Sequence, residues 1–536
     1  MSWIGDLWRR GRSRMAKAGA DMGLTREFRD IFEVGGVPAY RQFYDEGIFV
    51  WKALYRGSYA PWHLVPAPTI ANPKAVRQMY RLNAAKAVSA ELAGLVWSEQ
   101  CDIRVSANGA RGGDDPLDAF VHHVLAENGF SERMQPLIEQ GLALGGAAIK
   151  VWVEPQETGE QALSAARLSG GFAAGRDDAR GKIRLGYCMA DQFVPTAWDN
   201  ARVREAVFIS REARDGHYYT RLEWHRKSGE RYCVDNELYR SDFRRGASGP
   251  GGDILGVRYP LEAVYPELDA HTEARVPGSL FTYWRTPVAN NLDDDSPLGV
   301  SIYANALETL RALDICYDSF VQEFELGKKR IIVPARCVRT VADPSTGEMR
   351  RYFDPGDRVY EALATDDAGE LRIQDNSVEL RVEEHVAALN AFLSILCLQL
   401  GFSTNTFSFD GHNGLKTATE VVSENSKTFK TIRTVQNQLG PALEHLARSI
   451  IDAAILYGLS WEGQPVERLA ADGYQVKAVF DDGVTQDRQT NIAEGVKLVE
   501  AGLLSRYRFL TDGKYGQGLT PREAEEELRR LKAERA

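Results

Sequence analysis

Cysteine is scarce and scattered: six residues at positions 101, 188, 233, 316, 337 and 397 of a 536-residue chain, with no CxxC pair. Neither a disulfide framework nor a zinc ribbon is indicated, and the usage fits a reducing compartment. Positive charge is not in excess either. A formal net charge of -10 argues against tight nucleic-acid binding, which needs cations to neutralise phosphates, but leaves open a protein past which DNA only slides. Long apolar runs are missing. The most apolar stretch, Ala387 to Phe402, is broken by Asn390, Ser394 and Gln399 and falls short of the roughly 20 residues a membrane span requires. The basic N-terminus, MSWIGDLWRRGRSRMAKAG, has no continuous apolar core of the signal-peptide kind. No membrane association is expected.

Catalytic signatures are also missing. There is no HExxH, no GxSxG elbow, no GxGxxG after a strand and no carboxylate-histidine cluster at ligand spacing. His122 and His123 are adjacent, so on a helix they point about 100° apart and do not share a metal. No catalytic residue, metal site or cofactor is expected. One stretch invites a nucleotide reading: DGHNGLKTATEVVSENSKT, Asp410 to Thr428. A phosphate loop places glycine directly before its lysine. Here Leu415 precedes Lys416, and the Gly411–Gly414 spacing is wrong. Thr417 to Glu420 fits a capping box instead, so the loop is read as starting a helix.

What is present is an ordinary globular composition, 44% apolar and 26% charged, in a chain long enough for several domain-sized units. The first part reads as an α+β body. Helical patterns cover Asn83 to Glu99 and Glu132 to Leu144, Gly145-Gly146 ends the second, and AAIKVWV begins a strand. Residues 156 to 181 read as an insertion or long loop, and short β-branched and aromatic runs from Ile183 to Leu261 read as antiparallel sheet.

NNLDDDSPLGVSIY then announces a helix, with Ser296 as cap, Pro297 in the first turn, and Asp293, Asp294 and Asp295 at the positive end of its dipole. From Pro297 to Leu326 it spans about 45 Å. Tyr303, Ala306, Leu310, Leu313, Tyr317, Phe320 and Phe324 repeat at the seam spacing of helices packed side by side. Glu308, Arg311, Asp318, Gln322 and Glu325 form a separate polar stripe, expected to stay wet. Lys328, Lys329 and Arg330 suit the helix's negative end. A strand- and turn-rich insert follows, and a second helix runs from Val382 to about Leu400. A long helix after Thr417 should break or kink at Gly440-Pro441 and resume to Tyr457. Before that break its polar positions, among them Glu420, Glu424, Lys427, Thr431 and Thr434, are expected to meet neighbouring subunits. A strand, YQVKAVF, and a helical tail from Gln486 complete the chain.

The order of these elements, with the strings WKALYRG, ENGFSERMQPLIEQGLALGGAAIKVWV, ADQFVPT, YWRTPVANNLDDDSPLGVSIY, GKKRIIVP and KTATEVVSENSKT, resembles bacteriophage portal proteins of the SPP1-like and A118-like branch. The resemblance covers about residues 45 to 530. It implies a ring-forming α+β portal fold, usually a dodecamer, at one capsid vertex. Residues 1–296 would be the N-terminal part of the wing, 297–330 and 381–401 the stem helices, and 331–380 the clip. Residues 402–416 would be the tunnel loop, 417–485 the long kinked helix with the rest of the wing, and 486–536 the crown. Implied partners are passing double-stranded DNA, the terminase large subunit, a head-tail adaptor, and the major capsid and scaffolding proteins. The place implied is the virion, and the host cytoplasm during assembly. On this resemblance, Glu308, Asp318, Gln322 and Glu325 would face the bore. Lys328, Lys329 and Arg330 would mark the stem-clip junction. Asn405, Asp410, His412, Asn413 and Lys416 would touch DNA loosely in the tunnel loop, without base readout. The alternatives are an NTP-driven packaging motor, suggested by the defective phosphate loop, and another head-tail adaptor ring. The segment 156–181 and the basic N-terminus have no counterpart in the resemblance.

Overall fold

The structure, a computed structural model, describes residues 26–38, 40–67, 72–98, 101–107, 115–155, 181–200, 202–242, 254–327, 330–332, 339–342, 347, 349–352, 374–376, 379–404, 406–408, 426–480, 488–511, 524 and 527–531. These residues fall into two compact units. One contains 1–62, 83–310 and 394–536; the other contains 63–82 and 311–393.

The larger unit is built on two antiparallel sheets. Strands β5 (Gly146–Pro155), β6 (Gly181–Met189) and β13 (Phe281–Arg285) form a three-stranded sheet with β5 in the middle. The second sheet orders β1 (Glu27–Phe28), β11 (Gly256–Tyr259), β10 (Arg231–Ser241), β9 (His217–Ser228), β8 (Arg202–Arg214) and β7 (Phe193–Asp199), with β12 (His271–Arg275) also paired to β10. Aromatic side chains join the two sheets. Phe193 stacks on Tyr283 at 4.7 Å and meets Phe208 at 5.4 Å, and Phe208 meets Phe281 at 5.5 Å. Offset and edge-on packing of this kind adds roughly 0.5–1.5 kcal/mol per pair beyond the area buried.

In the same interface lies a wholly buried charge network. Glu223 accepts from Lys150 (2.6 Å), Arg221 (3.1 Å) and His225 (2.9 Å), and His225 Nδ1 faces the Tyr232 hydroxyl at 2.6 Å. Residues up to 73 positions apart meet here, and no local pattern announces it.

Helices α1 (Phe49–Tyr55), α2 (Ala84–Val96), α3 (Pro116–Glu127) and α4 (Phe130–Leu144) belong to this unit, and α4 ends where the glycine pair was expected to stop it. Gly145 sits at φ +96, and a Cβ there would meet the Gly299 carbonyl oxygen at 2.2 Å. Glycine is thus required twice over, for its backbone conformation and for close approach.

That approach explains a correction. No helix begins at Pro297. Residues 297–303 thread through the core beside the end of α4: Gly299 N donates to Tyr283 Oη (3.1 Å), the Val300 carbonyl accepts from Thr286 (2.5 Å), and Ile302 N bonds the Leu142 carbonyl (3.0 Å). With Leu298, Val300 and Tyr303 almost fully buried, tertiary packing overrides the local helix-start signal. Ser296 closes only a turn to Leu298 N, and the helix, α5, runs Leu307–Leu326 after a 3-10 turn at Ala304–Ala306.

The second helix, α6, spans Val382–Leu400 as expected, and α7 spans Ser426–Leu456 without interruption at Pro441. Proline costs α7 one donor, yet the helix persists because Ile432, Val435, Leu439, Leu443, Leu446, Ile450 and Ile451 all lie within the core. Strand β18 (Tyr474–Val479) pairs with β4 (Asp102–Ala107). The tail gives α8 (Arg488–Glu500) and α9 (Arg506–Thr511).

Within the smaller unit, β2 (Leu64–Pro66) and β3 (Val76–Gln78) form a hairpin. The expected strand-rich insert appears as β14 (Arg330–Ile332) with β17 (Gln374–Asn376) and β15 (Arg339–Ala342) with β16 (Met349–Tyr352).

Candidate functional site

The residues of α5 in the smaller unit carry three acidic side chains that are already engaged. Asp318 takes both guanidinium nitrogens of Arg77 (2.7 and 2.6 Å) and the Tyr80 amide (2.9 Å), and Asp314 takes the Leu82 amide (2.9 Å) beside His63 Nε2 (3.1 Å). The hairpin segment is therefore strapped to the helix by two carboxylates one turn apart. The bidentate bond from Arg77 holds the Asp318 carboxyl below its ordinary range, against the effect of burial. Asp318 is 6% exposed, so it leaves the wet stripe to which its spacing assigned it. Glu323 is bound by Arg381 (3.0 and 2.7 Å) and His385 (3.0 Å), joining α5 to the start of α6. These bonds, Arg381 first, hold its carboxyl well below the usual range.

Glu308 and Arg311 are exposed, and Glu325 is exposed while accepting from Tyr80 Oη (2.6 Å) and from the Gln322 side chain (2.9 Å). Asn405, Asp410, His412, Asn413, Lys416, Lys328 and Lys329 lie outside the described residues, as do the capping box at 417–420 and the loop 156–180. Arg330 is described through its backbone in β14.

Helix α6 has two apolar faces. Leu389, Leu393, Leu396, Cys397 and Leu400 are buried. On the opposite side Ala387, Ala391, Ile395 and Leu398 are exposed, Ile395 by 45% and Leu398 by 61%. A second apolar stripe, opposite the one buried in the subunit, is the pattern of a helix face that meets another surface.

The end of α6 is closed by α7. Lys427 Nζ donates to the Leu398 carbonyl (3.1 Å), Thr431 Oγ1 to the Gly401 carbonyl (2.6 Å), and Thr428 Oγ1 accepts from Ser403 N (2.9 Å). Lys427 and Thr431, two of the polar positions expected to meet neighbouring subunits, each donate to a carbonyl that the end of α6 leaves open. Thr434 bonds its own helix at the Lys430 carbonyl. Glu420 and Glu424 lie outside the described residues.

The two adjacent histidines part company as their helical phase requires. His122 bridges Asp102 (2.8 Å) and Asp118 (3.4 Å), while His123 lies 4.8 Å from the Trp461 ring. The Asp102 hydrogen bond, outweighing partial burial, raises the His122 pKa to about 9. A folded value above the unfolded 6.5 means that this stabilisation is complete below pH 6.5 and lost as pH rises through about 9. Melting temperature should therefore fall across that window, and His122→Gln should flatten the slope. An unchanged slope in His122→Gln would remove the ion pair's role.

Among the described residues no cluster of metal-ligating side chains occurs and no helix is long and apolar enough to cross a membrane. The α5 strap and the Glu323 clasp escaped sequence reading because their partners lie 58 to 251 positions apart.

Comparison with known families first gives the class: structural proteins of the bacteriophage capsid. Within it, the chain belongs to the phage portal proteins, SPP1 Gp6-like, whose family model matches residues 46–536. No curated relative matches it at a significant level.

Proposed function

We propose that copies of this chain close into a ring whose α5 and α6 helices wall a channel, through which double-stranded DNA enters the capsid during packaging and leaves on ejection. The observation that carries this reading is the outer face of α6: Ala387, Ala391, Ile395 and Leu398 form an apolar stripe left exposed by their own subunit. A contiguous exposed apolar stripe marks a surface that another surface covers. In this reading residues 1–306 and 417–485 form the wing, α5 and α6 the stem, 331–380 the clip that docks terminase and the head-tail adaptor, and 486–536 the crown.

The bore is lined by Glu308 and Glu325, with Gln322 beside the latter; Asp318 serves the strap. Carboxylates facing a polyanion keep the duplex from sticking, so it can move without breaking strong contacts at each step. Asn405, Asp410, His412, Asn413 and Lys416 occupy the tunnel loop and meet phosphates loosely, and Lys328, Lys329 and Arg330 mark the stem-clip junction. The test is a reconstituted packaging reaction with Glu308→Lys and Glu325→Lys. Added cations on the wall slow translocation severalfold, most strongly at low salt. Rates equal to the wild-type protein at every salt concentration would contradict the assignment.

A further inference from the structure

In the larger unit, the start of β8, the end of β13 and the middle of α7 enclose a cleft of about 350 Å³. Three arginines line it, Arg202, Arg285 and Arg448, against one lining carboxylate, Glu444, which sits 3.5 Å from Arg448. Among the described residues no ion pair engages Arg202 or Arg285. The field inside is positive: His445, also lining the cleft, has its pKa pushed down to about 4, by burial first and then by Arg202, Arg448 and Lys227. Phe281 and Pro441 supply apolar wall beside the cations. In a chain of net charge -10, such a concentration of unneutralised cations in a concave site calls for a bound anion.

The chain also displays the complementary feature. Leu292 is 58% exposed, followed by Asp293, Asp294 and Asp295, of which the last two are exposed. The loop is held in shape from within: Asn290 Oδ1 accepts from the Leu292 and Asp293 amides, both at 3.0 Å, and Asp293 Oδ1 accepts from Asp295 N. Asp294 and Asp295 enter no ion pair among the described residues. An ordered turn that presents one leucine beside free carboxylates matches a cleft that offers apolar wall beside free guanidinium groups.

We infer that this cleft binds the Leu292–Asp295 loop of a second copy of the chain, as a subunit contact in which one patch meets a different patch of the neighbour. Contacts of that type generate rings when the rotation between copies closes, so the inference rests on the ring reading above and deepens it. DNA is the poorer occupant. A duplex offers phosphates on a convex rod, whereas this site is concave and half apolar.

Charge reversal tests the inference. Arg202→Glu with Arg285→Glu, and separately Asp294→Lys with Asp295→Lys, each raise the concentration for half-assembly in mass photometry by at least about tenfold. Circular-dichroism melts of both stay at the wild-type temperature, because most of these groups are at the surface. Equimolar mixing of the two variants restores rings of alternating copies, since each reversed cleft then meets a reversed loop. Wild-type assembly by either variant alone, or failure of the mixture to recover, overturns the inference. So does a cleft variant that assembles normally while losing retained DNA. If the wild-type protein forms no ring, the ring reading fails by itself. The cleft is then judged by fluorescence anisotropy of a labelled peptide of residues 288–297, which binds the wild-type chain and binds the cleft variant about tenfold more weakly; equal binding to both overturns it.

Discussion

Replacing Leu398 with glutamate leaves the purified chain monomeric at concentrations where the wild-type protein assembles. Leu398 is 61% exposed in the isolated subunit, on the same stripe as Ile395, Ala391 and Ala387. Covering a leucine at an interface is worth about 1.5–3 kcal/mol. Placing an unpaired carboxylate there instead costs several kcal/mol more. Together these weaken each subunit contact by about a thousandfold or more, near 4 kcal/mol. Subunit stability should change little, within about 0.5 kcal/mol, because the position is not part of the subunit's own core. Sedimentation velocity or mass photometry reads the first effect and chemical denaturation the second. A Leu398→Glu chain that assembles at wild-type concentrations would show that this face is not an interface. One that fails to fold would show that it belongs to the core.

The second large effect is on folding. Glu223→Gln should lower the stability of the larger unit by about 3–5 kcal/mol, because a buried ion pair that loses one partner leaves an uncompensated charge in the interior. Glu223 is 1% exposed and Arg221 2%, and Lys150 is almost as deeply buried. Burial opposes ionisation of Glu223, but Lys150, Arg221 and the His225 hydrogen bond outweigh it and hold the carboxyl well below its ordinary 4.5. With the folded pKa depressed, the contribution is present above the unfolded value and is lost as pH falls below 4.5 toward the folded one. His225 titrates below its ordinary value, since burial outweighs the pull of Glu223; near neutral pH it is an uncharged bridge to Tyr232. Urea unfolding of the wild-type protein and Glu223→Gln near pH 7 and near pH 4 should give curves that differ less in acid. An equal gap at both pH values would deny the network its role.

Much of the fold was legible wherever the determinants are local. The limits of α6, the glycine stop after Leu144 and the antiparallel runs between Ile183 and Leu261 all follow from spacing and turn chemistry, and each is present. Local signals failed where the chain passes through the core. Ser296-Pro297 has every mark of a helix start, yet Leu298, Val300 and Tyr303 are needed inside, and no helix forms until the 3-10 turn at Ala304. Pro441 did not end α7, since buried residues flank it on both sides in sequence, Leu439 and Gly440 before it and Ala442 and Leu443 after it. The polar stripe of α5 was half legible. Its period is helical, but which carboxylates remain wet is decided by Arg77 and His63, more than 230 residues away. The same blindness hid the Glu223 network and the arginine cleft, each of which draws its members from three separate elements with no shared sequence pattern.

The central claim is that the uncovered apolar side of α6 is a contact between copies which surround an opening. Electron microscopy of the purified wild-type chain measures this directly. The account predicts hollow rings with a bore wide enough to pass a DNA duplex and with α5 and α6 lining it. Solid particles, or monomers at every concentration with α6 facing solvent, would contradict it.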